Sequence, residues 1–361
     1  MNKHLFYLAM GAAVALSACT SEEEVDVSPQ SNSIGFENSV MKPTRADAQE
    51  GDLTSDNLDK FMVYGFYTKD GQVANPIQVF GGDAVTKQNG AWTYSGTRFW
   101  VPDATYSFFA YSCADVALDN SYGTVGLDLN ATGPDRQLII SNYRCDARHN
   151  HDLVYAQNKE IKALPKTASN PNPNPNVSFK FSHILTKIDA VFTSEFANDY
   201  DIVIKDVKII NFRNVGTFSQ TRGWGSSAVR NFDLENNITM QLKFPTQDGY
   251  GVANASQKVS DKPKTKYAYV IPYKYNSADV QLEFTIEIYK GKNHTTDNLV
   301  MSRNMVGHWS PQWEQGYYYT YNITLTGTVA NLQPIVFEVA NDMNGWTPST
   351  STATDITFSA N

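Results

Sequence analysis

The 361-residue chain has only three cysteines. Setting Cys19 aside leaves Cys113 and Cys145, which either pair in an oxidising envelope or remain two separate buried thiols. Basic clusters are missing too. The net charge is -8, and no run of Lys or Arg exceeds two residues, which argues against a nucleic-acid partner. The chain has no Gly-x-Ser-x-Gly elbow, no phosphate-binding glycine loop and no His-Glu-x-x-His pair, so no catalytic residue is assigned and no enzyme is expected. No apolar run beyond the first eighteen residues is long enough to span a membrane, and no convincing helical period lasts beyond about three turns.

What is present begins with a leader. Lys3 and His4 precede an apolar core from Leu5 to Leu16, followed by small residues, which is a secretory signal covering residues 1–18. Leu16-Ser17-Ala18-Cys19 has the form of a bacterial lipobox, so a signal peptidase is expected to cut between Ala18 and Cys19 and the Cys19 thiol to carry diacylglycerol. Acyl chains contribute about 0.8 kcal/mol per buried CH₂, enough for two or three of them to hold a large body on a membrane without a spanning helix. Glu22, Glu23 and Glu24 then read either as a signal for the outer face of a Gram-negative outer membrane or as part of a solvated tether. Both readings make residues 20–33 a polar leash.

The remaining chain, about 320 residues, is long enough for two β-sandwiches. Aromatics reach 12%, with 20 Tyr and 19 Phe, a composition that suits pleated, half-buried surfaces. From Val280 to Ile288 every even residue is apolar and every odd one polar, the period-2 mark of a strand with one buried face. Tyr317 to Leu325 and Val177 to Phe181 repeat it. Phe61–Tyr67, Tyr106–Tyr111, Ile202–Phe212 and Lys266–Tyr273 are further candidates. The expected fold class is all-β. Pro171-Asn172-Pro173-Asn174-Pro175-Asn176 cannot join a sheet, because proline lacks the amide donor and restrains its predecessor. It divides the chain into an N-terminal sandwich, 46–176, and a C-terminal one, 177–361.

Other polar motifs are weak. His149-Asn150-His151 reads as a surface loop rather than a metal fragment, and His183, His294 and His308 as dispersed structural or surface residues. Asp128, Asn130 and Asp135 miss the calcium-loop ligand pattern, so no metal or cofactor is expected. Trp92, Trp100, Trp309 and Trp313 are either core or a sugar-stacking platform. The more informative stretch is Ser33-Ile34-Gly35-Phe36-Glu37, a short alternating segment followed by Lys42-Pro43-Thr44-Arg45-Ala46 in polar surroundings, where Arg45 is open to a trypsin-like protease.

An ordered series of segments resembles the fimbrillin family of Gram-negative type V pilins and their minor subunits. It runs from the lipobox and Ile34-x-Phe36 to Thr44-Arg45-Ala46, then Trp92-Thr93-Tyr94, Phe99-Trp100-Val101-Pro102 and Tyr106-Ser107-Phe108-Phe109-Ala110-Tyr111. Asp152-Leu153-Val154-Tyr155-Ala156, Val177 through Ile188 and Trp313 through Leu325 complete it, with Val154 standing where leucine is more usual. The resemblance implies two sandwiches of transthyretin-like character and protease-gated strand exchange. An arginine-specific protease would cut between Arg45 and Ala46, freeing a lipidated propeptide, 19–45, with its exchangeable strand at Ile34 and Phe36. The C-terminal strand of another pilin subunit would take its place. Here the candidate donor is Ile356 and Phe358, which repeat the Ile-x-Phe spacing; they could equally be the last strand of their own domain. A non-polymerising, glycan-binding surface lipoprotein and an anchor or tip subunit are the other readings.

Overall fold

The computed structural model describes residues 33–40, 52–225 and 267–325 apart from short gaps, and the strand segments 242–243, 250–251, 257–258, 327–328, 331–332, 336–340, 347–348 and 357–360. In chain order the first strands are β1 (Phe36–Val40), β2 (Lys60–Lys69), β3 (Ile77–Gln88), β4 (Ala91–Tyr94), β5 (Ala104–Ser112), β6 (Thr124–Leu127) and β7 (Leu138–Arg144). They continue with β8 (Val154–Lys162), β9 (Val177–His183), β10 (Thr186–Ser194), β11 (Tyr200–Ile210), β12 (Val215–Ser219) and β13 (Gly223–Trp224). The protein is all-β: the longer later strands are Val280–Lys290, Leu299–Trp309 and Tyr317–Leu325. Among the described residues no helix is long and apolar enough to cross a membrane.

The first sheet has the order β1-β9-β8-β5-β2-β3-β4. Its central strand β5 is apolar on both sides, because both faces are covered. Tyr106, Phe108 and Ala110 point into a core with Phe61, Val63, Phe80, Phe179 and Phe181, whereas Phe109, Tyr111 and Cys113 point into a second core with Leu138, Ile140 and Tyr155. A four-stranded sheet, β13-β12-β7-β6, lies on that second side. Two more sheets follow, one running through β10 and Tyr317–Leu325 and the other through β11, Val280–Lys290 and Leu299–Trp309. Phe192 of the former meets Phe284 of the latter edge to face at 5.0 Å, and isoleucines 202, 204, 286 and 288 pack around them.

Alternation in Val280–Lys290 survives intact: residues 280, 282, 284, 286 and 288 are buried, and the odd positions between them are half-buried. β11 keeps the rule but changes phase. Its register on Val280–Lys290 shifts between Lys205 and Lys208, where Asp206 takes a φ of 53°. The extra residue moves the inward positions from Ile202 and Ile204 to Val207 and Ile209.

The expected break at 176/177 falls inside the first sheet. Val177–His183 pairs with β1 on one side and β8 on the other, so the chain leaves this sheet only at Ile184–Leu185. Segment order also crosses over: β12, which follows that point, returns to pair with β7, and β13 pairs with β12. The Trp224 indole N–H donates to the Ile184 carbonyl at the crossing. The proline-rich segment does what its chemistry requires and stays out of every sheet. Instead Asn174 acts as a backbone mimic, accepting from the Leu164 amide at 2.8 Å and donating to its carbonyl at 3.1 Å. His149 is a second correction. Rather than lying on a surface loop it is 1% exposed, stacked on Tyr122 at 4.2 Å with its Nε2 3.8 Å from the Cys113 sulfur. Asn150 beside it bonds the Tyr267 carbonyl and the Tyr269 amide. Cys113 and Cys145 are separate buried thiols, and burial pushes the Cys113 thiol up to about 12, far from a reactive thiolate.

Candidate functional site

The site is the seat of β1. This strand lies along β9 in parallel, with Phe36 opposite Val177 and Val40 opposite Phe181. The other pairs of the first sheet are antiparallel, and a parallel ladder is slightly weaker per residue. Just before β1, the Ile34 amide donates to the Arg98 carbonyl at 2.8 Å and the Val177 amide to the Gly35 carbonyl at 2.8 Å. Ser33 forms an isolated bridge with Phe99.

Side chains hold the strand along its inward face. Ile34 is 1% and Phe36 is 4% exposed, while Glu37 between them and Asn38 faces out, so the alternation read from the sequence sets the inward face. The Phe36 ring stacks on Phe179 at 5.8 Å and meets Phe80, Tyr94 and Phe61 edge-on at 5.3, 5.6 and 6.1 Å. Such pairs are worth about 0.5–1.5 kcal/mol beyond their buried area. From β4, the Tyr94 hydroxyl donates to the Ile34 carbonyl at 2.8 Å and the Trp92 indole to Asn38 Oδ1 at 3.1 Å. Burial raises the Tyr94 hydroxyl above its ordinary range, so it stays a donor at neutral pH. β1 thus closes the space between the two ends of the curled sheet, with a strand ladder on β9 and side-chain bonds from β4.

Arg98 braces the wall of that seat. Its guanidinium bonds Asp83 at 2.6 Å and the carbonyls of Ser95 and Val79 at 2.7 and 3.2 Å, and lies 4.9 Å from the Phe80 ring centroid. These bonds brace the loop whose Arg98 carbonyl accepts from the Ile34 amide. A Cβ at Gly35 would sit 2.2 Å from Asn176 Oδ1, so a larger residue there needs this exposed side chain, which also donates to Glu37, to swing aside.

Ala18, Cys19, Arg45, Ala46 and Ile356 lie outside the described residues. Phe358 falls in the strand Thr357–Ala360, which pairs antiparallel with the outer edge of Leu299–Trp309. In this chain the candidate donor therefore caps its own sheet. Trp100, Trp309 and Trp313 are buried and Trp92 is half-buried, so these indoles serve the core. Among the described residues no group of three or more His, Cys, Asp or Glu could hold a metal. Tyr94, Arg98 and Asn176 were not singled out from sequence for this seat. Tyr94 and Arg98 act through contacts some sixty residues away in the chain, which no local pattern encodes.

Residues 44–341 match the family described as fimbrillin-like. The Fimbrium subunit Fim1C of Phocaeicola vulgatus is 23% identical, over 94% of this chain and 96% of that protein. The crystal structure of a fimbrial protein from Bacteroides vulgatus superposes with a TM-score of 0.56 at 17% identity, covering 88% of this chain and 100% of that one, a likeness of fold. With the match spanning most of its length, the chain belongs to the fimbrillin-like family.

Proposed function

We propose that this protein is a structural, non-catalytic subunit of a type V pilus, exported as a precursor lipidated on Cys19 and held at the outer membrane until an arginine-specific protease cuts between Arg45 and Ala46. Cutting frees β1. The observation that carries this reading is the seat of Ile34 and Phe36: an edge strand, parallel to its one ladder partner, fills an aromatic groove five residues before the cleavable arginine. An emptied groove exposes two side chains' worth of apolar contact, each worth about 1.5–3 kcal/mol, beside the bare edge of β9. That edge is a template for strand addition. Another subunit's Ile356-x-Phe358 restores both, residue type for residue type. The mature subunit then sits in fimbriae at the cell surface, where it supports adhesion. The glycan-binding alternative gains nothing from the buried indoles.

Deleting residues 355–361 tests the donor assignment. The Leu299–Trp309 strand keeps its ladder to Val280–Lys290 without the C-terminal strand, so the shortened protein is expected to fold, to be cut, and to remain monomeric on an unboiled SDS gel. Ladders formed by the shortened protein would show that another segment is the donor.

A further inference from the structure

Seven residues beyond Arg45, Asp52 lies in a buried ionic cluster that the strand seat does not use. Asp52 is 2% exposed and Lys187 fully buried, and the Lys187 ammonium meets Asp52 Oδ2 at 2.5 Å. The Tyr269 hydroxyl donates to the other carboxylate oxygen at 2.6 Å. The next amide, Leu53, donates to Asp152 Oδ2 at 2.8 Å, and Asp152 in turn pairs with His183 Nδ1 at 2.9 Å. A tight turn closes behind them, with the Asn57 side chain bonding the Asp52 carbonyl and the Thr54 amide, while Leu53 and Leu58 enter the same core as Phe36.

These partners come from four separate places: Asp152 ahead of β8, His183 at the end of β9, Lys187 on β10 and Tyr269 in the strand Ala268–Val270. Lys187 also lies over the rings of Tyr267 and Tyr318, at 3.5 and 4.9 Å from their centroids. Burial lowers its pKa, opposed first by Asp52 and then by Asp152 and Asp189. A buried ammonium ringed by tyrosines is tolerable because a carboxylate reaches it, and the nearest one is Asp52. The hold on β1 is of another kind, an edge ladder and apolar contacts. The two differ in what must be broken to release them, and Arg45 lies between them in the chain.

We propose that Asp52 and Lys187 are positioning residues for strand release, forming a clamp at which loosening stops: the chain up to Arg45 leaves, and from Asp52 onward it stays bound between the first sheet and β10. The inference rests on the strand-release reading above. It also gives a purpose to two segments that carried the family resemblance, Asp152–Ala156 and Val177–Ile188, which meet at this cluster.

The test is hydrogen–deuterium exchange by mass spectrometry on the full-length precursor, uncut and cut by an arginine-specific protease. Wild type is compared with Asp52→Asn and with Asp52→Asn/Lys187→Gln, the double variant removing both members of the pair and leaving the sum of their charges unchanged. Peptides over 33–40, 52–60 and 104–112 are followed. In cut wild type, 33–40 is lost while 52–60 keeps its protection. In the cut double variant, 52–60 exchanges about 100-fold faster with 104–112 unchanged. Loosening of 52–60 in cut wild type, its full protection in the double variant, or equal loosening of 104–112 would each overturn the clamp. Resistance at Arg45 would refute the release reading instead, and the clamp is then judged in uncut protein, where selective loosening of 52–60 in the double variant supports it and its absence overturns it.

Discussion

Phe36→Ala is expected to destabilise the precursor by about 3–5 kcal/mol, the usual loss for emptying a buried phenylalanine site. The ring touches five aromatic neighbours, from β2, β3, β4, β5 and β9, and none of them can move into the space without leaving its own ladder. The loss is confined to the precursor. Once β1 has gone, the residue at position 36 no longer belongs to the subunit, so cut and assembled Phe36→Ala protein should melt with wild type. Urea unfolding of uncut and cut forms makes the comparison directly. An equal deficit in both would mean that β1 does not leave, and an unchanged precursor would mean that Phe36 is not seated in the groove.

Alkaline pH gives the second large effect. Tyr111, Tyr143, Tyr155, Tyr269, Tyr318 and Tyr321 are all buried, and burial raises each hydroxyl above its ordinary value of 10.0. For Tyr269 the Asp52 carboxylate adds to the effect, and for Tyr318 that of Asp189. The folded protein therefore holds these protons at pH values where the unfolded chain has lost them. A raised folded pKa means that stability is fully present below about pH 10 and falls as pH rises beyond it. Each group contributes a slope of about 1.4 kcal/mol per pH unit, so six approach about 8 kcal/mol per pH unit. Lys187 acts in the opposite sense: its lowered pKa makes stability rise with pH only in the window below its unfolded value of about 10.4. A cooperative transition above pH 10 is expected, in which near-ultraviolet dichroism collapses together with a jump in tyrosinate absorbance. Gradual tyrosinate absorbance with the dichroism retained would show that these hydroxyls reach water in the folded protein.

Much of this architecture is legible in the chain, and the parts that are not have physical causes. Val280–Lys290 announces itself because one face is buried along its whole length. β11 obeys the same rule, but the bulge at Asp206 resets its parity, and a bulge leaves no reliable mark in a sequence. The aromatic run of β5 reads as a strand, though only the structure shows that its two faces serve different cores. Val177–His183 follows the proline segment and so looks like the start of a new domain; its partners β1 and β8 place it in the first sheet. At the site, Ile34 and Phe36 are visible as a two-residue alternation. Asp52 and Lys187 are not, because a lone acid and a lone lysine look solvated until the fold brings them together across 135 residues. The buried side of His149 is hidden for the same reason.

The central claim is that β1 is a removable strand whose place another subunit takes. The most direct measurement is intact mass and unboiled SDS electrophoresis of the full-length precursor before and after limited arginine-specific proteolysis. The account predicts a single early cut with Ala46 as the new N-terminus, loss of the mass carrying Cys19 and β1, and an SDS-resistant ladder of subunits. Resistance at Arg45, or a clean cut that leaves only monomer, would contradict it.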